Sequence, residues 1–322
     1  MFQSEKLKAK NMKLLKKVSV IALLSILFFN SAKAQGCSDA GVCTLHSIKN
    51  NAEGHESKNG KNNDLSIGFA YGKGERSTNN YTGYVEYTRT ITKKTSVTGK
   101  LGYSFINGEL ANTSGLTDLF ISVNHAFDTK GKWQKSFVVG LKIPFDGADI
   151  LKNGIHLPMP YQTSLGTTDL VLAINYNRKN FGATLAVQQP LKPTNENKFL
   201  PGDYPLQPLA LKYWPTNQFS RKGDVVGRVS YSFKTGERFS IRPSLLGIYH
   251  EANDTYLDNN KIRRAIFNSR GLTLNANAFL DYHLKNGNGL ELSLGTPFVV
   301  RGQRPDGLTR SFVASIEYQF SF

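Results

Sequence analysis

Residues 65–72 read Leu65-Ser66-Ile67-Gly68-Phe69-Ala70-Tyr71-Gly72, with large apolar side chains at every odd position and small or polar ones between them. Successive side chains of a strand point to opposite faces, so this stretch has one apolar face and one small or polar face. The same period of two returns at Phe137/Val139/Leu141/Ile143, Leu170/Leu172/Ile174/Tyr176 and Phe181/Ala183/Leu185/Val187. It continues at Leu272/Leu274/Ala276/Ala278/Leu280/Tyr282 and Leu290/Leu292/Leu294. Twelve such segments follow one another at 63–73, 80–91, 95–106, 116–127, 135–145, 168–177, 181–190, 224–233, 239–250, 269–283, 289–301 and 308–322. Pro243 and Pro297 interrupt two of them.

Most of these segments exceed the five or six residues usual for a soluble strand. They match the roughly 9–11 residues of a tilted strand that crosses a bilayer. Every second connection is short, at 92–94, 128–134, 177–180, 234–238 and 285–288, whereas 146–167, 191–223 and 251–268 are long. Short turns at one end and long loops at the other are the signature of an outer-membrane barrel, and an even strand count returns both termini to the periplasmic side. Aromatic residues gather beside the short turns at Phe127, Trp133, Phe137, Tyr176, Phe181, Tyr231, Phe233 and Phe239, where an interfacial girdle belongs. The expected fold is therefore all-β: a transmembrane antiparallel up-and-down β-barrel of about twelve strands over 63–322.

The composition fits once the chain is divided. Of 322 residues, 40 are Lys or Arg and 24 Asp or Glu, a net charge of +16. Mean hydropathy is −0.34, the average of a lipid-facing and a water-facing residue taken in turn. Lys13, Lys16 and Lys17, the apolar run Val18–Phe29 and Ala32-Lys33-Ala34 read as a secretory signal peptide over 1–34, with Met12 an alternative start. Its removal takes away seven Lys and one Glu and leaves +10. Export argues against a nucleic-acid partner and permits a Cys37–Cys43 disulfide. Residues 35–62, rich in Gly, Asn, Ser and Lys, form either a flexible periplasmic tail or a disulfide-pinned plug.

Catalytic patterns are thin. His250-Glu251 lacks the second His of HExxH, and no G-x-S-x-G elbow occurs, so no enzyme is expected. His125 reads as an interfacial residue and His283 as a structural hydrogen-bonding one. His46 and His55 follow the cysteines, but an oxidised pair does not ligate, and neither metal nor cofactor is expected. The face opposite the apolar one carries Glu86, Lys100, Asp118, Lys142, Asp169, Arg228, Arg242, Asp281, Glu291 and Glu317. Four are positive and six negative, which suits a structural ion-pair network or a mixed-sign constriction. Asp118, Lys142 and Asp169 fall together near the outer mouth, on neighbouring strands. The segment 191–223 carries Phe199, Leu200, Tyr204, Leu206, Tyr213 and Trp214 among five prolines. It either folds into the mouth or packs among the outer loops.

Three motifs in order carry a resemblance: Gly115-Leu116-Thr117-Asp118-Leu119, Lys142-Ile143-Pro144 and Gly166-Thr167-Thr168-Asp169-Leu170. Over residues 63–190 the chain resembles the outer-membrane transporters grouped under the meta-pathway of phenol degradation. That resemblance implies passive uptake of small hydrophobic or aromatic molecules and offers no catalytic residues. The final strand, ending Tyr318-Gln319-Phe320-Ser321-Phe322, resembles the signal read by the bacterial barrel-assembly machinery. Gly36-Cys37-Ser38-Asp39-Ala40-Gly41-Val42-Cys43 resembles exported proteins of Bacteroidetes-type bacteria. The partners expected are outer-membrane lipid and lipopolysaccharide, the assembly machinery and a small-molecule solute. A structural or surface-interaction barrel with a closed lumen is the competing class, and a barrel-embedded hydrolase the third.

Overall fold

A computed structural model describes residues 62–74, 76–127, 133–307 and 311–322. The signal peptide expected over 1–34, the segment 35–61 and the expected Cys37–Cys43 disulfide lie outside the described residues. The strands are β1 (Asn63–Lys73), β2 (Asn79–Thr92), β3 (Thr95–Asn107), β4 in two pieces (Asn112–Leu116 and Leu119–Phe127), β5 (Gln134–Ile143) and β6 (Thr168–Arg178). They continue with β7 (Phe181–Lys192), β8 in two pieces (Asp224–Tyr231 and Phe233–Thr235), β9 (Phe239–His250), β10 (Gly271–His283), β11 (Gly289–Val299) and β12 (Phe312–Ser321). Each pairs antiparallel with its sequence neighbours, and β1 pairs β12 from Asp64↔Ser321 to Lys73↔Phe312. The seam is finished by a backbone exchange between Asn63 and Phe322, 3.2 and 2.9 Å. The result is a closed up-and-down barrel of twelve strands, which leaves no free sheet edge.

The interior and exterior are exchanged relative to a soluble protein. Phe105 is 58% exposed and Leu185 56%, while Lys142 is 1% and Asp169 0% exposed. Large apolar side chains stand outside on every strand, and hydroxyl, amide and charged groups fill much of the inside. Rings line the short-turn end: Trp133 meets Phe181 edge-on at 6.3 Å, and Tyr231 lies 4.8 Å from Phe233. Arg178 sits over Trp133 and Lys135 over Tyr176, which keeps both cations beside rings at that rim. Tyr318 and Phe320, with Phe322 after them, stack in series along the outer face of the closing strand, 6.3 and 5.8 Å apart.

The two prolines stay within their strands. Pro243 pairs opposite Ala278 with an exposed ring, and Pro297 opposes Asn275 beside a register shift at Leu274/Asn275. Proline donates nothing to a ladder, so Pro297 is tolerated at that bulge, and Pro243 falls in the gap between the ladder pairs Ser230↔Ser244 and Phe233↔Ile241. The break in β4 has a different cause. Thr117 leaves the ladder, yet its N–H still reaches Gly102 O at 2.9 Å and its Oγ1 accepts from Gly102 N at 3.0 Å. This turns Asp118 into the barrel.

At the long-loop end, 144–167, 193–223 and 251–270 pack on one another. Phe199, Ala210 and Tyr213 of the second bury with Ile155, Leu157 and Tyr161 of the first and Ile106 of β3. Phe219 and Ile266 join Ala148, Met159 and Leu165 in a further cluster. Thus 193–223 mainly packs among the loops. Leu206 stays 91% exposed at its tip.

Candidate functional site

The strand register places the inward charges side by side. Lys142 of β5 stands opposite Asp169 of β6, and their side chains meet at 2.8 Å. Asp118, delivered by the β4 break, approaches Lys142 at 3.5 Å and accepts a hydrogen bond from Ser164 of the 144–167 loop. Asp169 also accepts from Gln188 of β7 at 2.5 Å. The three residues expected together are therefore in contact and buried.

They form one end of a longer alternating chain. Asp169 lies 3.6 Å from Arg221, whose guanidinium also grips Asp224 at the start of β8. Asp224 contacts His250 Nδ1 at 2.7 Å, and Asp254 contacts His250 Nε2 at 2.9 Å. Arg301 reaches Asp254 at 3.5 Å and pairs with Asp306. Five carboxylates thus alternate with Lys142, Arg221, His250 and Arg301, each of the nine no more than 9% exposed. The chain ties the loops after β7, β9 and β11 to the inner wall. Outside the strands, burial raises the Asp306 carboxyl, but the adjacent Arg301 guanidinium outweighs it and holds the group below the usual carboxylate range. Burial disfavours charge on Arg301, but Asp306 and Asp254 keep it above its ordinary value.

A second group occupies mid-barrel. Glu86 and Lys100 are cross-strand partners 3.6 Å apart, and Lys100 Nζ sits 3.8 Å above the Tyr84 ring. Tyr84 donates its hydroxyl proton to Glu317 at 2.9 Å. Its ring covers Gly68, where an added Cβ would fall 2.2 Å from the ring. Arg242 pairs with Glu291 at 3.2 Å and Asp281 at 3.6 Å. Arg242 and Arg228 lie 4.7 and 6.0 Å from the Phe279 ring. On the β4–β9 side the wall is apolar instead, with Phe120, Val138, Val171, Ala186, Val226 and Leu246 in one buried cluster.

Between these groups lies a cavity of about 230 Å³. Met159, Pro160 and residues 162–165 cover it from one loop, and Asp306 and Gly307 from another; Tyr84, Lys100, Phe120, Arg228 and Phe279 form its walls. The two covers touch, since a Cβ on Gly307 would fall 2.4 Å from Pro160 N. The residues over the chamber thus come from 159–165 and 306–307.

The other expected positions are plain. His125 accepts from or donates to Thr95 Oγ1 at 3.0 Å and meets Phe127 edge-on at the rim. His283 is exposed at the short-turn end of β10, and its backbone N–H donates to Arg238 O at 2.8 Å. Among the described residues no group of three or more His, Cys, Asp or Glu could hold a metal ion. Asp224 and His250 were within reach of sequence reasoning, since they continue the inward parity of Arg228 and Arg242. Arg301 likewise ends the expected segment 289–301 on the inward parity of Glu291, while Arg221, Asp254 and Asp306 lie in loops that have no period to read.

These features define a closed twelve-stranded antiparallel barrel with a charged, loop-covered lumen. No family model matches the chain, and no curated protein matches it. Among solved structures it is similar to the KdgM porin at 8% identity, TM-score 0.42, over 80% of this chain and 99% of that one. It is also similar to the CymD monoaromatic hydrocarbon channel at 11% identity, TM-score 0.43, over 86% and 92%. The translocator domain of autotransporter NalP from Neisseria meningitidis stands at 11% identity, TM-score 0.44, over 87% and 98%. Likeness at this level carries no argument about what passes through the barrel.

Proposed function

We propose that this chain is a passive channel of a Gram-negative outer membrane, admitting small solutes from the long-loop side. The observation that supports it best is the exchange of inside and outside. A continuous apolar exterior on all twelve strands suits lipid, and a contiguous apolar surface of that extent is untenable in water. A lumen of hydroxyl, amide and paired charged groups around a chamber suits a solute path. Lys100 and Arg228 would line that path at the chamber and Arg242 and Glu317 beside it, with Asp118, Lys142 and Asp169 at its rim.

Export through the signal peptide at 1–34, a periplasmic segment or plug at 35–62, and a barrel over 63–322 complete this reading. Tyr318, Phe320 and Phe322 would present the terminal strand to the assembly machinery, and the basic loops would meet lipopolysaccharide. The motif order around Asp118, Lys142 and Asp169 supports membership among the phenol meta-pathway transporters and a hydrophobic or aromatic cargo. Liposome swelling with the refolded full chain tests the channel. Faster influx of small solutes than in protein-free vesicles is expected, and rates equal to those vesicles would refute it.

One observation favours the closed, structural barrel: buried ion pairs link the loops after β7, β9 and β11 to the wall or to one another. The same vesicles separate the two, because a closed barrel inserts and folds but passes nothing.

A further inference from the structure

At its long-loop end the outer face of the barrel carries an arginine where the strand pattern calls for an apolar group. Arg270 stands immediately before β10 on the parity of Leu272, which pairs with Tyr249 of β9. Tyr249 and Leu272 both lie on the exposed, apolar side of their strands. The guanidinium sits over the Tyr249 ring at 5.7 Å, and its Nε and Nη2 donate to the Tyr249 hydroxyl at 2.9 and 2.7 Å. A guanidinium has five N–H donors and no acceptor, so most of its capacity is left over. Because the phenol oxygen accepts both bonds, its own proton is directed away from Arg270. Among the described residues no carboxylate pairs with Arg270. Arg263, Arg264 and Arg304, by contrast, donate to Gln218 O, Asp258 and Arg301 O.

The backbone beneath Arg270 is fixed. Its N–H donates to Asn253 Oδ1 at 3.0 Å, and the carbonyl of the buried Ser269 before it accepts from Arg301 at 2.8 Å. The Ser269 hydroxyl accepts from Asp254 N at 2.7 Å. The donors are therefore held in place before any ligand arrives, which lowers the cost of binding. Further from the loops, Leu272 and Leu245 continue the apolar face, 43% and 54% exposed. Donors without an acceptor, set above an apolar wall at the edge of a bilayer, fit an amphiphile with an anionic head. A phosphate monoester carries nearly two charges and three acceptor oxygens, which matches a guanidinium and a phenol better than a singly charged diester does.

We propose that Arg270 and Tyr249 form a binding site for the phosphate monoester of lipid A in the outer leaflet, with Leu272 and Leu245 receiving an acyl chain. The site rests on the outer-membrane reading and assigns its lipopolysaccharide contact to named side chains; it does not require flux through the barrel.

The test is native mass spectrometry of the detergent-solubilised full chain titrated with diphosphoryl lipid A, lipid A stripped of its phosphates, or phosphatidylglycerol. Diphosphoryl lipid A should form a one-to-one adduct at about tenfold lower concentration than either of the others. Arg270→Gln should weaken that adduct about tenfold and Tyr249→Phe about threefold. Arg264→Gln, which removes a nearby cation already paired with Asp258, should leave it unchanged. Heat-modifiable migration on gels establishes that each variant is folded, and both site residues are exposed, so neither substitution opens the interior. Equal retention of the phosphate-free lipid or of phosphatidylglycerol, or wild-type retention in folded Arg270→Gln, would overturn the proposal. Phosphate-dependent retention by a chain that admits no solute to vesicles would sink the channel and leave the site standing; influx without such retention would do the reverse.

Discussion

Lys142 is the residue on which the loop-end network turns. It is 1% exposed and lies between Asp118 and Asp169. Removing one partner from a buried ionic group strands the others, at a cost of about 3–5 kcal/mol. Lys142→Ala should therefore lower the thermal unfolding midpoint and change single-channel conductance; a variant altering neither would show that the set is inert. Lys142→Met, which keeps the stem but not the charge, should behave like the alanine variant. Asp118, Lys142 and Asp169 were legible in the sequence because each continues the parity of a strand whose other face is apolar. Asp224 and His250 obey the same parity and could have been read the same way. Arg301, at the end of the expected segment 289–301 on the parity of Glu291, could have been too; Asp306 could not, because a loop side chain points where packing sends it.

At the scale of the element, glycine decides how closely the lumen packs. Gly68 of β1 lies beneath the Tyr84 ring, leaving no room for a side chain. Gly68→Val should displace that ring, break the Tyr84–Glu317 bond and destabilise the barrel by about 1–3 kcal/mol. In a Tyr84→Ala background the same substitution should cost little, and an undiminished cost there would rule out the ring as the cause.

The loop after β11 is held by charge, so acid should loosen it. The Asp306 carboxyl is depressed in the folded state by Arg301. Its contribution is present above the ordinary carboxylate range near 4 and is lost as pH falls through the lower folded value. Hydrogen exchange of residues 301–307, corrected for intrinsic rates, should accelerate below about pH 4. Asp306→Asn should abolish that acid step, and an identical step in the variant would contradict the assignment. The twelve strands themselves were legible from period two alone, prolines included. Neither the β4 break at Thr117 nor the choice of cover was: the apolar content of 191–223 drew attention there, but its rings bury against other loops, and the short stretches 159–165 and 306–307 meet over the cavity.

For the whole molecule, the arrangement combines an apolar exterior, a lumen whose charges are largely neutralised in place, and loops drawn over one mouth. Such a pore should pass small solutes weakly and without strong charge selection, because its fixed charges are committed to one another. Breaking the loop latch should widen it. The most direct test of the central claim is conductance of the purified, refolded full chain in a planar bilayer. Discrete, small unitary steps are expected, and they should grow in Arg301→Ala, where the latch between Asp254 and Asp306 is cut. A chain that inserts and shows heat-modifiable folding, yet gives no steps in either form, would contradict it.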